Sequence, residues 1–152
     1  MALESRFLAG VVAGVIAGMA KDLSDLVSFY LFRLSTTRFL DFSAFLIFGH
    51  KPRTIVETTF AIAAQIGWSA ALAVFFCFLV PLIGRRNYLL KSTFFGVAAW
   101  FTIYAVLALH KVHGLYGFSL SSCVSNIFGA ILFGLVLGLV SQRLLPCDRA
   151  SI

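Results

Sequence analysis

Residues 7–32 read FLAGVVAGVIAGMAKDLSDLVSFYLF, and this stretch decides the fold. It is apolar for most of its length and rich in glycine and alanine. A helix rises about 1.5 Å per residue, so a stretch this long exceeds the roughly 30 Å hydrocarbon core of a bilayer. We therefore predict that residues 7–32 form a membrane-spanning helix.

Three further stretches have the same character, and they lie at residues 54–80, 89–109 and 120–140. The chain of 152 residues is 61% hydrophobic and 12% charged, with a mean hydropathy of +0.99. Soluble domains average about 45–50% apolar and about 25% charged residues, so this composition is typical of a protein solvated by lipid. The apolar runs are continuous rather than alternating, which disfavours a barrel of short strands. The sequence predicts an all-α polytopic membrane protein with four transmembrane helices in a single transmembrane domain, residues 1–152.

The connection between the first two predicted helices, residues 35–53, is too apolar for an ordinary loop. It is also too short to cross the membrane and return, so we predict an interfacial helix or a shallow re-entrant segment. Thr54 and Glu57 follow it in the spacing of a capping box, in which each side chain accepts a hydrogen bond from the backbone of the other residue. A transport role for Glu57 is the alternative.

Small residues recur at every fourth position in the first and last predicted helices. The stripes are Gly10, Gly14 and Gly18 in the first, and Ala130, Gly134 and Gly138 in the last. Such stripes let two helix backbones approach closely in a membrane. Four crossings make these two helices antiparallel, so we expect them to pack together with Gly14 beside Gly134. The alternative is that the matched spacing of the two stripes is a coincidence of a glycine-rich composition.

Polar residues on or beside both stripes form the most unusual group in the chain. They are Lys21, Asp22 and Asp25 in the first helix, with Ser122 and Asn126 in the last. A charge at the bilayer centre costs about 2.5–3.5 kcal/mol, so such groups must be paired, hydrated or turned inward. We expect Lys21 to pair with Asp25 four residues on, and Asp22 to reach Asn126 or Ser122. The group is either a structural polar cluster or a site for a proton, a cation or a polar solute.

Neither cysteine nor histidine forms a pattern that indicates a cofactor or a metal site. Cys77, Cys123 and Cys147 are an odd set without CxxC spacing, so we expect free thiols, with reversible acylation as an alternative for Cys147. His110 and His113 are three residues apart and no third ligand follows, so we expect interfacial histidines rather than a metal or haem site. We predict no cofactor, no metal and no enzymatic activity.

The net charge of +6 comes from basic residues at the ends of the predicted helices, where they meet lipid phosphates rather than nucleic acid. The side shared by both termini carries Arg6, Arg85, Arg86, Lys91, Arg143 and Arg149, and the other side carries Arg33, Arg38, Lys51, Arg53 and Lys111. Basic loops favour the cytoplasm. This small excess predicts that both termini are cytoplasmic.

Three motifs carry a resemblance to other membrane proteins. They are GVVAGVIAG at residues 10–18, FGHKP at residues 48–52 and RRNYLLKSTFFGVAAWFTIYAV at residues 85–106. Together they resemble a group of small uncharacterised four-helix integral membrane proteins of bacteria. The resemblance covers nearly the whole chain. It implies a bacterial cytoplasmic membrane but no activity and no site residues.

Two functions fit these observations. Nearly every residue serves spanning and packing, so the first is an oligomeric scaffold or an interaction subunit that associates with itself or with a partner membrane subunit. The second predicted helix carries a further small-residue run, Ala63, Gly67 and Ala71, which is available for such contacts. The alternative is a small cation or proton-coupled channel or transporter that uses Lys21, Asp22, Asp25 and Asn126.

Overall fold

A computed structural model of the chain describes residues 3–30, 39–109 and 120–145. It contains five helices: α1 (Leu3–Tyr30), α2 (Phe39–Phe48), α3 (Ile55–Ile83), α4 (Tyr88–Leu109) and α5 (Leu120–Leu144). Helices α1, α3, α4 and α5 are long and apolar enough to cross a membrane. None of the described residues forms a strand. The predicted fold class is confirmed.

The ends of α3 follow from local chemistry. Thr54 is the N-cap, and its hydroxyl accepts from the Glu57 N–H at 3.1 Å. The Glu57 carboxylate accepts from the Arg53 N–H at 2.7 Å, one residue before the position that the capping box predicts. At the other end the helix continues through Pro81, because a proline in the last turn removes a single backbone hydrogen bond. Gly84, with φ of 72°, then ends α3.

The four long helices are arranged in the order α3, α1, α5, α4, with each helix antiparallel to its neighbour. Helices α3 and α4 make little direct contact with each other, and Phe95 lies beside Phe75 and Phe76 about two helical turns from the loop that joins them. One core cluster draws side chains from all four helices: Ala13, Ala17, Ala73, Phe76, Val80, Tyr88, Phe133 and Leu137.

The closest approaches are made by glycines. A Cβ built on Gly14 would lie 2.5 Å from the Ala70 Cα, and one built on Gly10 would lie 2.6 Å from the Val74 Cα, so the α1 glycine stripe packs on α3. A Cβ on Gly134 would lie 2.5 Å from the Thr93 Cα, so the α5 stripe packs on α4. Both interfaces therefore depend on these positions being glycine, which has no side chain.

The expected pairing of the two glycine stripes with each other is wrong. Helices α1 and α5 are antiparallel neighbours, as expected, but α1 presents to α5 the adjacent stripe of Ala9, Ala13 and Ala17. The register also differs by about one turn, because Gly129 rather than Asn126 lies beside Lys21 and Asp25. A spacing of four residues defines a helix face but does not define the partner of that face.

The short helix α2 occupies part of the apolar connection between α1 and α3. At about 1.5 Å per residue its ten residues span about 15 Å, too little to cross a bilayer. Ala44 packs on Ala61 of α3, and both are fully buried. Leu46 on the opposite side of α2 is exposed. Residues 35–38 of the predicted segment lie outside the described residues.

Gly14 and Gly67 give a matched test of this packing. We expect Gly14→Ala to lower the free energy of unfolding by about 1–3 kcal/mol, since the new methyl group meets backbone atoms that cannot move without separating the helices. Gly67→Ala places its methyl group where no described atom lies within 4 Å, so stability should be unchanged or slightly higher. Unfolding by steric trapping in bicelles measures both. Equal effects of the two substitutions would contradict the assigned interface.

Candidate functional site

Two adjacent stripes of α1 end in polar residues about a turn beyond its middle. The alanine stripe continues to Lys21 and Asp25, and the glycine stripe continues from Gly18 to Asp22. Lys21 lies about 7 Å along the axis from the centre of α1. Because the two stripes face α5 and α3, the polar side chains are carried into the bundle rather than towards lipid.

Lys21 and Asp25 form a buried ion pair. The Lys21 Nζ lies 2.6 Å from the Asp25 Oδ2, and the two side chains are 7% and 10% exposed. The predicted pairing four residues apart is therefore confirmed. On α5 the pair faces Gly129, where a Cβ would lie 3.0 Å from the Asp25 Oδ1. Gly129 makes room for the ion pair, and its only signal in the sequence is a glycine one position before Ala130.

Asp22 is bound by α3 rather than by α5. The Gln65 Nε2 donates a hydrogen bond to the Asp22 Oδ1, and the Gln65 Oε1 accepts one from the Ser43 hydroxyl of α2 at 3.3 Å. One amide therefore connects α1, α2 and α3. The expected contact of Asp22 with Asn126 is wrong, because Asp22 lies on the glycine stripe and that stripe packs on α3.

Asn126 instead joins α5 to α4. Its amide donates to the Tyr104 hydroxyl at 2.7 Å, and Asn126 is 2% exposed. Ser122, one turn earlier on α5, is fully buried. Tyr104 is not among the candidate residues that the sequence indicates. Its position on α4 opposite Asn126 becomes visible only once the α4–α5 register is known.

The charges of the cluster do not cancel within the described residues. Two carboxylates, Asp22 and Asp25, stand against one ammonium group, Lys21, which leaves a formal charge of −1 when both carboxylates are ionised. The Asp22 Oδ2 is buried, and no described group donates a hydrogen bond to it. A buried carboxylate oxygen without a donor is costly, so this atom is the point in the cluster most suited to a proton, a water molecule or a cation.

A small cavity lies beside the cluster, between α3 and α4. Its volume is about 30 Å³, which is enough for one or two water molecules. Lys21, Gln65 and Ser69 are among the residues that line it, but its surface is almost entirely apolar, and Trp68 and Trp100 stand on the two flanking helices. The Nε1–H of Trp100 is buried and meets no acceptor among the described residues with hydrogen-bonding geometry.

No group of three or more His, Cys, Asp or Glu within residues 3–30, 39–109 and 120–145 is arranged to hold a metal ion. Cys77 and Cys123 are free thiols, and Cys77 is buried beside Ala9 and Leu145. His110, His113 and Cys147 lie outside the described residues.

The ion pair gives a test of what the cluster contributes to stability. Lys21→Met leaves a buried carboxylate without its partner, and we expect it to lower the free energy of unfolding by about 3–5 kcal/mol. The double variant Lys21→Met with Asp25→Leu removes both charges, and it should recover most of that loss. Steric trapping in bicelles measures the two variants and Asp25→Leu alone. If the loss in the free energy of unfolding of the double variant equalled the sum of the losses of the two single variants, Lys21 and Asp25 would not be coupled. The ion pair would then not account for the stability.

Comparison with known proteins identifies no relative: no family model, no curated protein and no solved structure matches this chain.

Proposed function

We propose that this chain is a small integral membrane protein that acts as a homo-oligomeric scaffold or interaction subunit, and that copies associate through the outward face of α3. The observation that carries the proposal is Gly67. A Cβ on this glycine would meet no described atom within 4 Å, whereas every other described glycine inside a helix lies in contact with a neighbouring helix or its side chains.

Small residues on both sides of Gly67 extend this face along α3. Ala63 and Ala71 lie one turn to either side, and both are exposed. Small residues at this spacing allow close backbone approach, which drives helix association where lipid is as apolar as the side chains. Trp68 is 55% exposed and Phe60 is 57% exposed beside the stripe, and both add large apolar contact area.

A second copy of the chain is the occupant that fits this face best. The same stripe on both copies gives a self-complementary contact related by a two-fold axis, the commonest symmetry of homo-oligomers. The face carries no charge between Thr58 and Ile83, so it needs no oppositely charged partner. Association with a different membrane subunit is the competing outcome.

The proposed setting is a bacterial cytoplasmic membrane with both termini on the cytoplasmic side. The resemblance of the three sequence motifs to small bacterial four-helix membrane proteins supports the assignment to a bacterial cytoplasmic membrane. The excess of basic residues on the side of the termini, which includes Arg6, Arg85 and Arg143, supports the orientation. Cysteine accessibility to impermeant reagents on intact cells tests both.

Substitution of Gly67 tests the scaffold proposal. We expect Gly67→Leu to weaken self-association about tenfold, because the side chain holds the two backbones apart, while the protomer stays folded. Ala98→Leu is the matched control, since Ala98 is exposed on α4 away from the proposed face. Energy transfer between labelled copies in liposomes measures association. A monomeric wild-type chain would overturn the proposal, and disruption by Ala98→Leu alone would move the interface to α4.

A second candidate function, a small cation or proton-coupled channel or transporter, is favoured by one specific observation. The Asp22 Oδ2 is buried in a cluster of formal charge −1 and accepts no hydrogen bond from any described residue. A carboxylate in this setting can take up a proton or bind a cation. Under this function Lys21 and Asp25 would set the local field, and Asn126 would hold α5 against α4.

Flux measurements decide this second candidate. If the chain conducts, Asp22→Asn should abolish proton or cation flux in liposomes while the protein still folds, since the amide keeps the shape of the carboxylate and cannot titrate. Glu57→Gln is the control, because Glu57 caps α3 outside the bundle core and the exchange should leave flux intact. Absence of flux in the wild-type protein, or equal flux in Asp22→Asn, would exclude the role of this residue.

A further inference from the structure

The turn that joins α3 to α4 lies in the headgroup layer of the membrane. Helix α3 has 29 residues and is therefore about 43 Å long. A bilayer is about 40–45 Å thick when its polar headgroups are included. A helix of this length reaches from one headgroup layer to the other. Residues 84–87, which follow α3, therefore lie among the phosphates of one leaflet.

An open pocket of about 550 Å³ lies beside this turn, between the first turn of α4 and the last turn of α5. The residues that line it are Arg85, Asn87, Tyr88, Leu89, Leu90 and Gln142. Polar and apolar atoms contribute about equally to its surface. Ligand pockets commonly have volumes of about 300–1,000 Å³, so this pocket has the size of a binding site for a small molecule or a lipid headgroup.

The polar part of the pocket carries hydrogen-bond donors. The Arg85 side chain is held by the end of α5, where its Nη2 donates to the Leu145 carbonyl at 2.6 Å. A guanidinium group has five N–H donors, and this bond uses one of them. The side-chain amides of Asn87 and Gln142 are exposed and make no hydrogen bond with the residues that the structure describes. A positioned guanidinium with two amides beside it suits a group that offers several acceptor oxygens.

The charge at this end of the bundle favours an anionic group. Five described side chains here are basic and one, Glu4, is acidic, which leaves an excess of four positive charges; the basic ones are Arg6, Arg85, Arg86, Lys91 and Arg143. Arginine binds phosphate oxygens in pairs through its planar fork of donors. A zwitterionic choline headgroup carries a cation of its own, which this excess of positive charge repels.

We propose that this pocket binds the phosphate of an anionic glycerophospholipid. Arg85 donates to the phosphate oxygens, and Asn87 and Gln142 donate to the phosphate or to the glycerol next to it. The apolar part of the pocket favours a lipid over a soluble phosphate. Leu90 is 69% exposed and Leu89 is 37% exposed on the first turn of α4, where acyl chains that descend from the phosphate into the hydrocarbon contact them.

Native mass spectrometry tests the proposal, because it counts bound lipids by mass. The full chain in detergent micelles is titrated with phosphatidylglycerol and, separately, with phosphatidylcholine of the same acyl chains. We expect one phosphatidylglycerol per chain to bind about tenfold more tightly than phosphatidylcholine. Glycerol phosphate in about tenfold excess should not displace it, because this soluble headgroup has no acyl chains to contact Leu89 and Leu90.

Arg85 and Arg86 give a matched pair of variants. Replacement by glutamine removes one positive charge in either case, but Arg86 does not line the pocket. We expect Arg85→Gln to bind phosphatidylglycerol about tenfold more weakly, and Arg86→Gln to change binding by less than about twofold. Circular dichroism and thermal melting check that each variant is folded.

Asn87→Gly is a second variant for the case in which loss of the Leu145 contact destabilises Arg85→Gln. Asn87 has a φ of 58°, a backbone conformation that glycine adopts readily, so the turn should persist without the amide. We expect phosphatidylglycerol to bind about threefold more weakly to this variant. Unchanged binding would contradict the assignment of Asn87 to the site.

Three results would overturn the proposal. Equal losses in Arg85→Gln and Arg86→Gln would show general attraction to a basic surface rather than a site. Equal binding of phosphatidylcholine would show that the charge of the lipid is not recognised. Displacement by glycerol phosphate would show that the occupant is a soluble phosphate. Lipids are counted per chain, so failure here leaves the scaffold proposal untouched.

Discussion

Close backbone contact between α1 and α3 is the constraint on which the rest of the structure depends. In lipid the hydrophobic effect does not draw apolar helices together, so association relies on close packing. Gly10 and Gly14 allow that packing, because a Cβ at either position would overlap the backbone of α3. Once one face of α1 is committed to α3, the adjacent alanine face is the one left for α5. The central position of α1 follows from these two neighbouring stripes.

The location of the polar cluster follows from the same two stripes. Asp22 continues the glycine stripe and therefore meets Gln65 of α3, while Lys21 and Asp25 continue the alanine stripe and meet Gly129 of α5. The cluster thus lies where three helices converge, and its hydrogen bonds hold the helix positions that the glycines permit. The cavity between α3 and α4 is the other result of this order, since the two helices stand at its two ends and make little direct contact with each other.

The sequence predicts features that are periodic along the chain or confined to one helix. It does not predict which helix faces pack against each other, because that choice depends on the whole bundle. Continuous apolar runs located four spanning helices, and the spacing of Lys21 and Asp25 located the ion pair. The glycine stripes of α1 and α5 indicate packing surfaces, but their equal spacing does not show that they pack on each other, since one packs on α3 and the other on α4. Tyr104 could not be assigned to Asn126 for the same reason, because that contact depends on how α4 lies against α5.

The internal ion pair bears on how the chain enters the membrane during synthesis. Lys21 and Asp25 lie on one helix, so their charges neutralise each other as soon as α1 is helical, before α3 or α5 has been made. That lowers the cost of transferring the least apolar half of α1 from the translocon into lipid. Asp22 has no such partner on α1 among the described residues and obtains Gln65 only when α3 arrives. The chain is thus able to insert α1 first, and the later arrival of α3 fixes its rotation about its own axis.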